Sequence, residues 1–309
     1  MKSTLSSTFG LALVASVSLV SSASAAVSID WVSVGNTGNK GDEANTSRFG
    51  AVQYDYQIGK YEVTNAQYVE FLNAKAAADD YGLYNASMPN HGITRSGVAG
   101  NFSYNVTGAL ANRPVVLVSW FDAARFANWL VNGQGAGDTE SGSYTLNGTS
   151  SAFVPANLDA TIRLPNQDEW HKAAYFDPTK GGVGGYWLYP TKSDSISPAV
   201  ANYMGGGLTY VGSYIDSPSA YGTFDQGGNA SEWVDGVMSY VPLTVGVNGG
   251  MWDSIGGGAD GGLGASANGA KYPGNESIYT GFRLASVPEP SCVVLTILAS
   301  GVLVTRRKR

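Results

Sequence analysis

Arg163-Leu164-Pro165-Asn166-Gln167-Asp168-Glu169-Trp170 is the stretch on which the fold turns. A short strand-like run, residues 161–164, leads into Asn166. Three residues later comes Glu169, the spacing of a capping box in which each residue satisfies the other's free backbone N–H. A helix is therefore expected over residues 167–176, with Trp170, Ala173 and Ala174 together on one face. The same device occurs twice upstream. Thr64 with Gln67 opens a helix over 65–74, where Tyr68, Val69 and Leu72 share a face. Ser119 with Asp122 opens one over 120–130, with Ala123, Ala127 and Leu130 on one side. Other strand-like runs are short: 52–56, 114–118 and 281–285.

The remainder is irregular. Residues 132–151 are rich in Gly, Ser and Thr and read as loop, with a hairpin expected at Tyr144-Thr145-Leu146-Asn147-Gly148. The glycine clusters at 181–185, 205–207 and 256–262 are not followed by Lys-Ser or Lys-Thr and do not sit between a strand and a helix, so none is a phosphate loop. No repeat and no linker divides the chain. Three helices, short strands and long loops give an irregular, loop-rich α+β fold.

Composition agrees. Forty-one glycines and 14% charged residues indicate dense turns rather than a helical bundle. Eighteen Tyr and seven Trp supply a core and exclude disorder. Of the 18 Lys and Arg and 24 Asp and Glu, Lys2, Arg306, Arg307, Lys308, Arg309 and Glu289 lie near the ends, which leaves the central domain at about −10. Such a surface repels a phosphate backbone, so nucleic acid is excluded as a partner.

The ends carry signals. Lys2, the apolar or small run 9–20 and Ala23-Ser24-Ala25 read as a signal peptide over residues 1–26. Near the other end Pro288-Glu289-Pro290 precedes an apolar run of 13 residues, 292–304, and then Arg306-Arg307-Lys308-Arg309. The run is shorter than the roughly 20 residues a helix needs to cross a bilayer. This order resembles the PEP-CTERM sorting signal, which implies transient membrane association, cleavage by a membrane protease and release to the cell surface or extracellular matrix. A plain membrane anchor is the alternative. The expected organisation is signal peptide 1–26, domain 27–286 and sorting tail 287–309. The one cysteine, Cys292, lies in that tail.

Within the domain, five segments in order resemble the formylglycine-generating enzyme (sulfatase-modifying factor) family. They are Ile58-Gly59-Lys60-Tyr61-Glu62-Val63-Thr64-Asn65 and on to Leu72; Arg113-Pro114-Val115 through Ser119-Trp120-Phe121-Asp122-Ala123 to Trp129; Arg163 to Ala174; Gly227-Gly228-Asn229-Ala230-Ser231-Glu232-Trp233; and Gly249-Gly250 with Gly281-Phe282-Arg283. The resemblance implies a C-type-lectin-like fold. Trp120, Trp170 and Trp233 read as core anchors. Glu62, Asp122 and Glu169 read as caps and loop tethers, and Arg283 as a donor to buried carbonyls.

The family oxidises a substrate cysteine with copper held by two cysteines that follow an R-G-G-S-W motif. Here the motif reads Asn248-Gly249-Gly250-Met251-Trp252. Ser254 falls near the first cysteine, and a glycine or Ala259 near the second. Copper(I) needs soft thiolates, so no copper is expected. His91 and His171 are the two histidines; His171 reads as helix packing, and a two-histidine iron site would need both. No Gly-x-Ser-x-Gly elbow is present. The family's calcium site maps onto the carboxylates of Asp225 and Glu232 and the carbonyls of Gly228 and Ala230, an all-oxygen set suited to calcium. Loop bracing by the two acids is the alternative. A second family site would use Asn202 and the Tyr203 carbonyl, but its aspartate is missing. Three functions remain open: a calcium-stabilised module binding an extracellular glycan, peptide or matrix polymer, an enzyme of the same superfamily with an unidentified active site, and a structural matrix component with no specific ligand.

Overall fold

All three capping boxes form in the computed structural model, which describes residues 26–44, 48–238, 243–255 and 262–287. The signal peptide, the tail with Cys292, and position 259 lie outside the described residues. The chain runs β1 (Trp31–Val34), β2 (Tyr56–Gly59), α1 (Asn65–Lys75), β3 (Ile93–Ser96), β4 (Ser103–Val106), α2 (Trp120–Val131), β5 (Ile162–Arg163), α3 (Gln167–Tyr175), β6 (Phe176–Asp177), β7 (Gly185–Tyr186), β8 (Ser231–Val237), β9 (Val245–Asn248), β10 (Gly269–Lys271), β11 (Thr280–Phe282) and β12 (Ala285–Ser286).

Two four-stranded sheets organise it, β1-β2-β12-β5 and β10-β9-β8-β11, with β11 parallel to β8. The hairpins β3-β4 and β6-β7 stand apart. This is the irregular, few-helix α+β fold expected from the sequence, and its sheets are open.

α1 packs on α2 through aromatic rings: Phe71 lies 5.4 Å from Phe126 edge-on and 5.3 Å from Trp129. α2 is more central than its one apolar stripe predicts. Every residue from Trp120 to Trp129 is buried, including Arg125, whose Nε donates to Glu140 Oε1 at 2.7 Å. The three tryptophans anchor the core as expected, and each indole N–H finds an acceptor: Trp120 on Val234 O, Trp233 on Val118 O and Trp170 on Glu232 Oε2.

Three local expectations fail for identifiable reasons. Residues 114–118 are buried and extended in part but form no strand; Pro114 has no N–H to donate, and Leu117 turns to φ 62. Their hydrogen bonds go singly to neighbours, Val115 N to Val63 O and Leu117 N to Ser277 O. Residues 52–56 likewise yield the strand to Tyr56–Gly59. At Asn147-Gly148 the turn forms, with φ 49 and 79, but no ladder follows, because Tyr144 N donates to Asn128 Oδ1 and Leu146 N to Glu140 O instead. Gly281 is needed for packing: a Cβ there would lie 2.4 Å from Val115 O.

Candidate functional site

The turn between Asp225 and Glu232 is set by backbone demands. Asp225 and Asn229 hold left-handed φ of 61 and 58, and Gly228 one of 102. A Cβ at Gly228 would lie 2.2 Å from Asn202 O, so the close approach of the two loops requires glycine. Asn229 N–H donates to that same Asn202 carbonyl at 2.9 Å. Asn202 Nδ2 in turn donates to Gly207 O and Asn229 Oδ1, both at 3.0 Å. Asn202, read as a remnant of a second metal site, thus braces two loops.

Glu232 leaves this turn on β8 and is fully buried against Arg283, also fully buried. Arg283 Nε donates to Glu232 Oε2 at 2.6 Å and Nη2 to Oε1 at 2.7 Å. Trp170 Nε1 adds 2.7 Å to Oε2. The remaining guanidinium donors reach Gly59 O, Lys60 O and Phe224 O. The reading of Arg283 as a donor to carbonyls is correct but incomplete; it also carries a bidentate ion pair.

Glu62 joins the cluster. It is buried, Oε1 accepts from Asn229 Nδ2 at 3.1 Å, and Oε2 has no donor. Burial, and next the charge of Asp225, push its pKa well above the usual carboxylate range, with Arg283 opposing. Asp225 is half-buried and accepts from Gly212 N at 2.6 Å. Burial pushes it up to about 6 against the pull of that hydrogen bond and of Arg283. Glu232 pairs with the one guanidinium, Arg283 also lowers the pKa of Glu62 and Asp225 electrostatically, and a buried acceptor, Glu62 Oε2, is left over. A hard cation with oxygen ligands fits this imbalance, and soft copper does not. Among the described residues no three His, Cys, Asp or Glu side chains are arranged to hold a metal, so an ion at this turn would need main-chain carbonyls such as those of Gly228 and Ala230. Glu232, with both oxygens already accepting, is the least available of the four expected ligands.

The turn is stapled to residues 248–254 by Gly228 N to Gly249 O at 2.7 Å and Trp252 N to Asn229 O at 2.8 Å. Ser254, which the resemblance puts near the first copper cysteine, is a turn brace: its Oγ accepts from Met251 N at 3.1 Å and its own N–H returns to Met251 O at 3.0 Å. Asn248 Oδ1 accepts from Gln167 Nε2, while its Nδ2 is buried without an acceptor. Beside this segment lies a cleft of about 470 Å³, lined by Ser231, Gly250, Met251, Asn268 and Lys271 among others. Its described lining holds no Cys, His, Asp or Glu. Lys271 Nζ donates to Thr280 Oγ1, and burial lowers its pKa.

His171 is buried, with Nε2 3.2 Å from Asp42 Oδ2 and its ring 4.7 Å from Tyr175. It packs, as expected. His91 ends a 3₁₀ turn elsewhere, and its carbonyl accepts from Asn65 Nδ2. Glu169 caps α3 and also takes both Nη groups of Arg163 at 2.7 Å. Sequence reading missed the contact of Glu62 with Asn229; no local spacing signals it.

Comparison with known proteins gives one family. Residues 26–287 match the Sulfatase-modifying factor enzyme 1-like domain. Among solved structures, the chain is similar to Treponema denticola variable protein 1 (20% identity, TM-score 0.53, 85% of this chain and 97% of that one). It is similar to CarF (25% identity, TM-score 0.53, 85% and 99%) and to PvdO from Pseudomonas aeruginosa (18% identity, TM-score 0.51, 84% and 94%). A curated relative, Serine/threonine-protein kinase pkn1 of Chlamydia pneumoniae, is 24% identical over 189 residues, 61% of this chain. The chain spans about a quarter of that protein's length.

Proposed function

We propose, for a chain that belongs to the sulfatase-modifying factor enzyme 1-like family, that it is an exported, calcium-stabilised binding module. Its ligand is an extracellular glycan, peptide or matrix polymer. One observation carries this reading. Near where the family places its first copper cysteine, this chain has Ser254 as a turn brace, and beside that turn lies a cleft whose described walls offer small, polar and apolar groups and one lysine, Lys271. Such walls suit recognition of a ligand. Calcium at Asp225, Gly228, Ala230 and Glu232 is supported by the excess of acidic groups over cations around that turn, where Glu62 Oε2 lacks a donor. Destination at the cell surface or matrix is supported by the order of signals at the two ends of the sequence.

The test uses protein recovered from the surface fraction of its source cells. Its mass should lack the residues after about 290, and on arrays of extracellular glycans and peptides it should bind a defined subset. Filling the cleft with Met251→Trp should abolish that binding. A surface form that keeps residues 306–309 counts against export processing. Array binding unaffected by Met251→Trp, or none at all, counts against the module.

A further inference from the structure

β8 is interrupted. Its pairing with β9 shifts register between Trp233 and Val237, and Asp235 sits in the irregular stretch. Bulges of this kind re-aim side chains. The main chain is pinned on both sides: Asp235 N–H donates to Pro165 O at 2.8 Å, and Val234 O accepts from Trp120 Nε1 at 3.2 Å. Asp235 lines a cleft of about 580 Å³ together with Tyr54, Phe153, Leu158, Arg163 and Val237. This cleft shares no lining residue with the one beside residues 248–254.

The carboxylate there is poorly served. Oδ2 has one long contact, 3.4 Å from Ala156 N, and Oδ1 is sealed from solvent with no donor. Arg163 is the neighbouring cation, but both its Nη groups are committed to Glu169. Burial pushes Asp235 up to about 6, with Arg163 opposing. With Oδ1 sealed and the one contact on Oδ2 long, a side chain that lines the cleft is left short of donors, which is costly for a carboxylate. Around it the rim is apolar and open: Leu158 is wholly exposed and Val237 is 60% exposed. The domain's charge of about −10 draws cations toward such a site.

We propose that this cleft binds a basic side chain, arginine or lysine, of a partner polypeptide. The charged head meets Asp235 Oδ2, the oxygen whose one contact is long, and the aliphatic stem lies across Leu158 and Val237, as long basic side chains do on apolar surface. The inference goes beyond the binding-module reading by adding a second cleft and the chemistry it takes.

The probe is a fluorescein-labelled peptide, acetyl-Leu-Arg-Leu-amide, titrated into the full domain and followed by anisotropy, with lysine, citrulline and glutamate versions beside it. The arginine and lysine peptides should bind, and the citrulline and glutamate peptides about tenfold more weakly or worse. Asp235→Asn, nearly isosteric, should weaken arginine-peptide binding about tenfold, and Leu158→Ser, at an exposed position, should weaken it by a smaller factor. Met251→Trp should leave it unchanged, which separates this site from the first cleft. Equal binding of arginine and citrulline peptides would overturn the proposal, as would full binding by Asp235→Asn or no binding by any peptide. Binding seen only after removal of residues 288–309 would also overturn it, because the chain's own basic end would then be the occupant.

Discussion

The turn at residues 225–232 and the segment at 248–254 are bonded to each other, yet they are built on opposite principles. In the first, nearly every polar atom answers a specific partner across the fold. Glu232, Arg283, Trp170 and three carbonyls form one closed set, and no member can change without stranding another. In the second, the main chain makes most of the bonds, and only Asn248 and Asp253 are seen to reach across the fold by their side chains, to Gln167 and Tyr279. Ser254 and Met251 bond each other's turn, and Met204 and Gly205 donate to the carbonyls of Ser254 and Trp252. A closed buried network fixes its residue types through electrostatics, because an unpaired charge in a low-dielectric interior is costly. A turn held by its own backbone tolerates a change of chemistry. The scaffold therefore persists where the family's reactive residues do not.

The comparison breaks most sharply at Arg283. Arg283→Ala leaves Glu232 buried and unpaired and frees three carbonyls, and should cost about 3–5 kcal/mol. For a domain of this size that lowers the melting temperature by roughly 6–20 °C. If the variant fails to fold, the double change Glu232→Leu with Arg283→Met decides the matter, since removing both charges should recover most of the loss. A single variant melting within about 3 °C of the parent would show that the network does not hold the turn.

The proposed calcium site predicts a smaller effect with a pH signature. Asp225 is raised to about 6 and Asp122 to about 7, both by burial. A carboxyl raised in the folded state contributes stability that is present below its unfolded value and lost as pH rises through the folded one. In excess chelator, melting temperature should therefore fall between about pH 5 and pH 7.5. Added calcium should restore it at pH 7.5 by mass action and do less at pH 5, where a proton occupies Asp225. Superimposed melting curves with and without calcium at pH 7.5 would remove the ion from the account.

The smallest effect belongs to the second region. Ser254→Cys keeps the shape of the turn and should change stability by about 1 kcal/mol or less. Given copper(I) and a cysteine peptide of the sulfatase type, neither parent nor variant should form an aldehyde, because one thiol does not make a two-thiolate site. Aldehyde from the parent protein would replace the binding module with an enzyme.

The sequence by itself determined the three helices. Their capping boxes close over three residues, as Thr64 and Gln67, Ser119 and Asp122, and Asn166 and Glu169 do, and contacts that local need no fold around them. It also marked the three tryptophans, whose size alone demands burial, and the loss of soft ligands around Ser254, which is a matter of residue type. Tertiary structure alone decided the rest. β8 and β9 gain their strand character by pairing with each other and with β10 and β11, and the extended run at 114–118 fails to become a strand because no continuous partner lies beside it. Glu62 meets Asn229 across 167 residues, and Glu232 meets Arg283 across 51. Whether such an acid ends as a cap, a tether or a strained charge depends on which groups the folded chain brings within hydrogen-bond range, and separations of that length leave no periodic trace in the sequence.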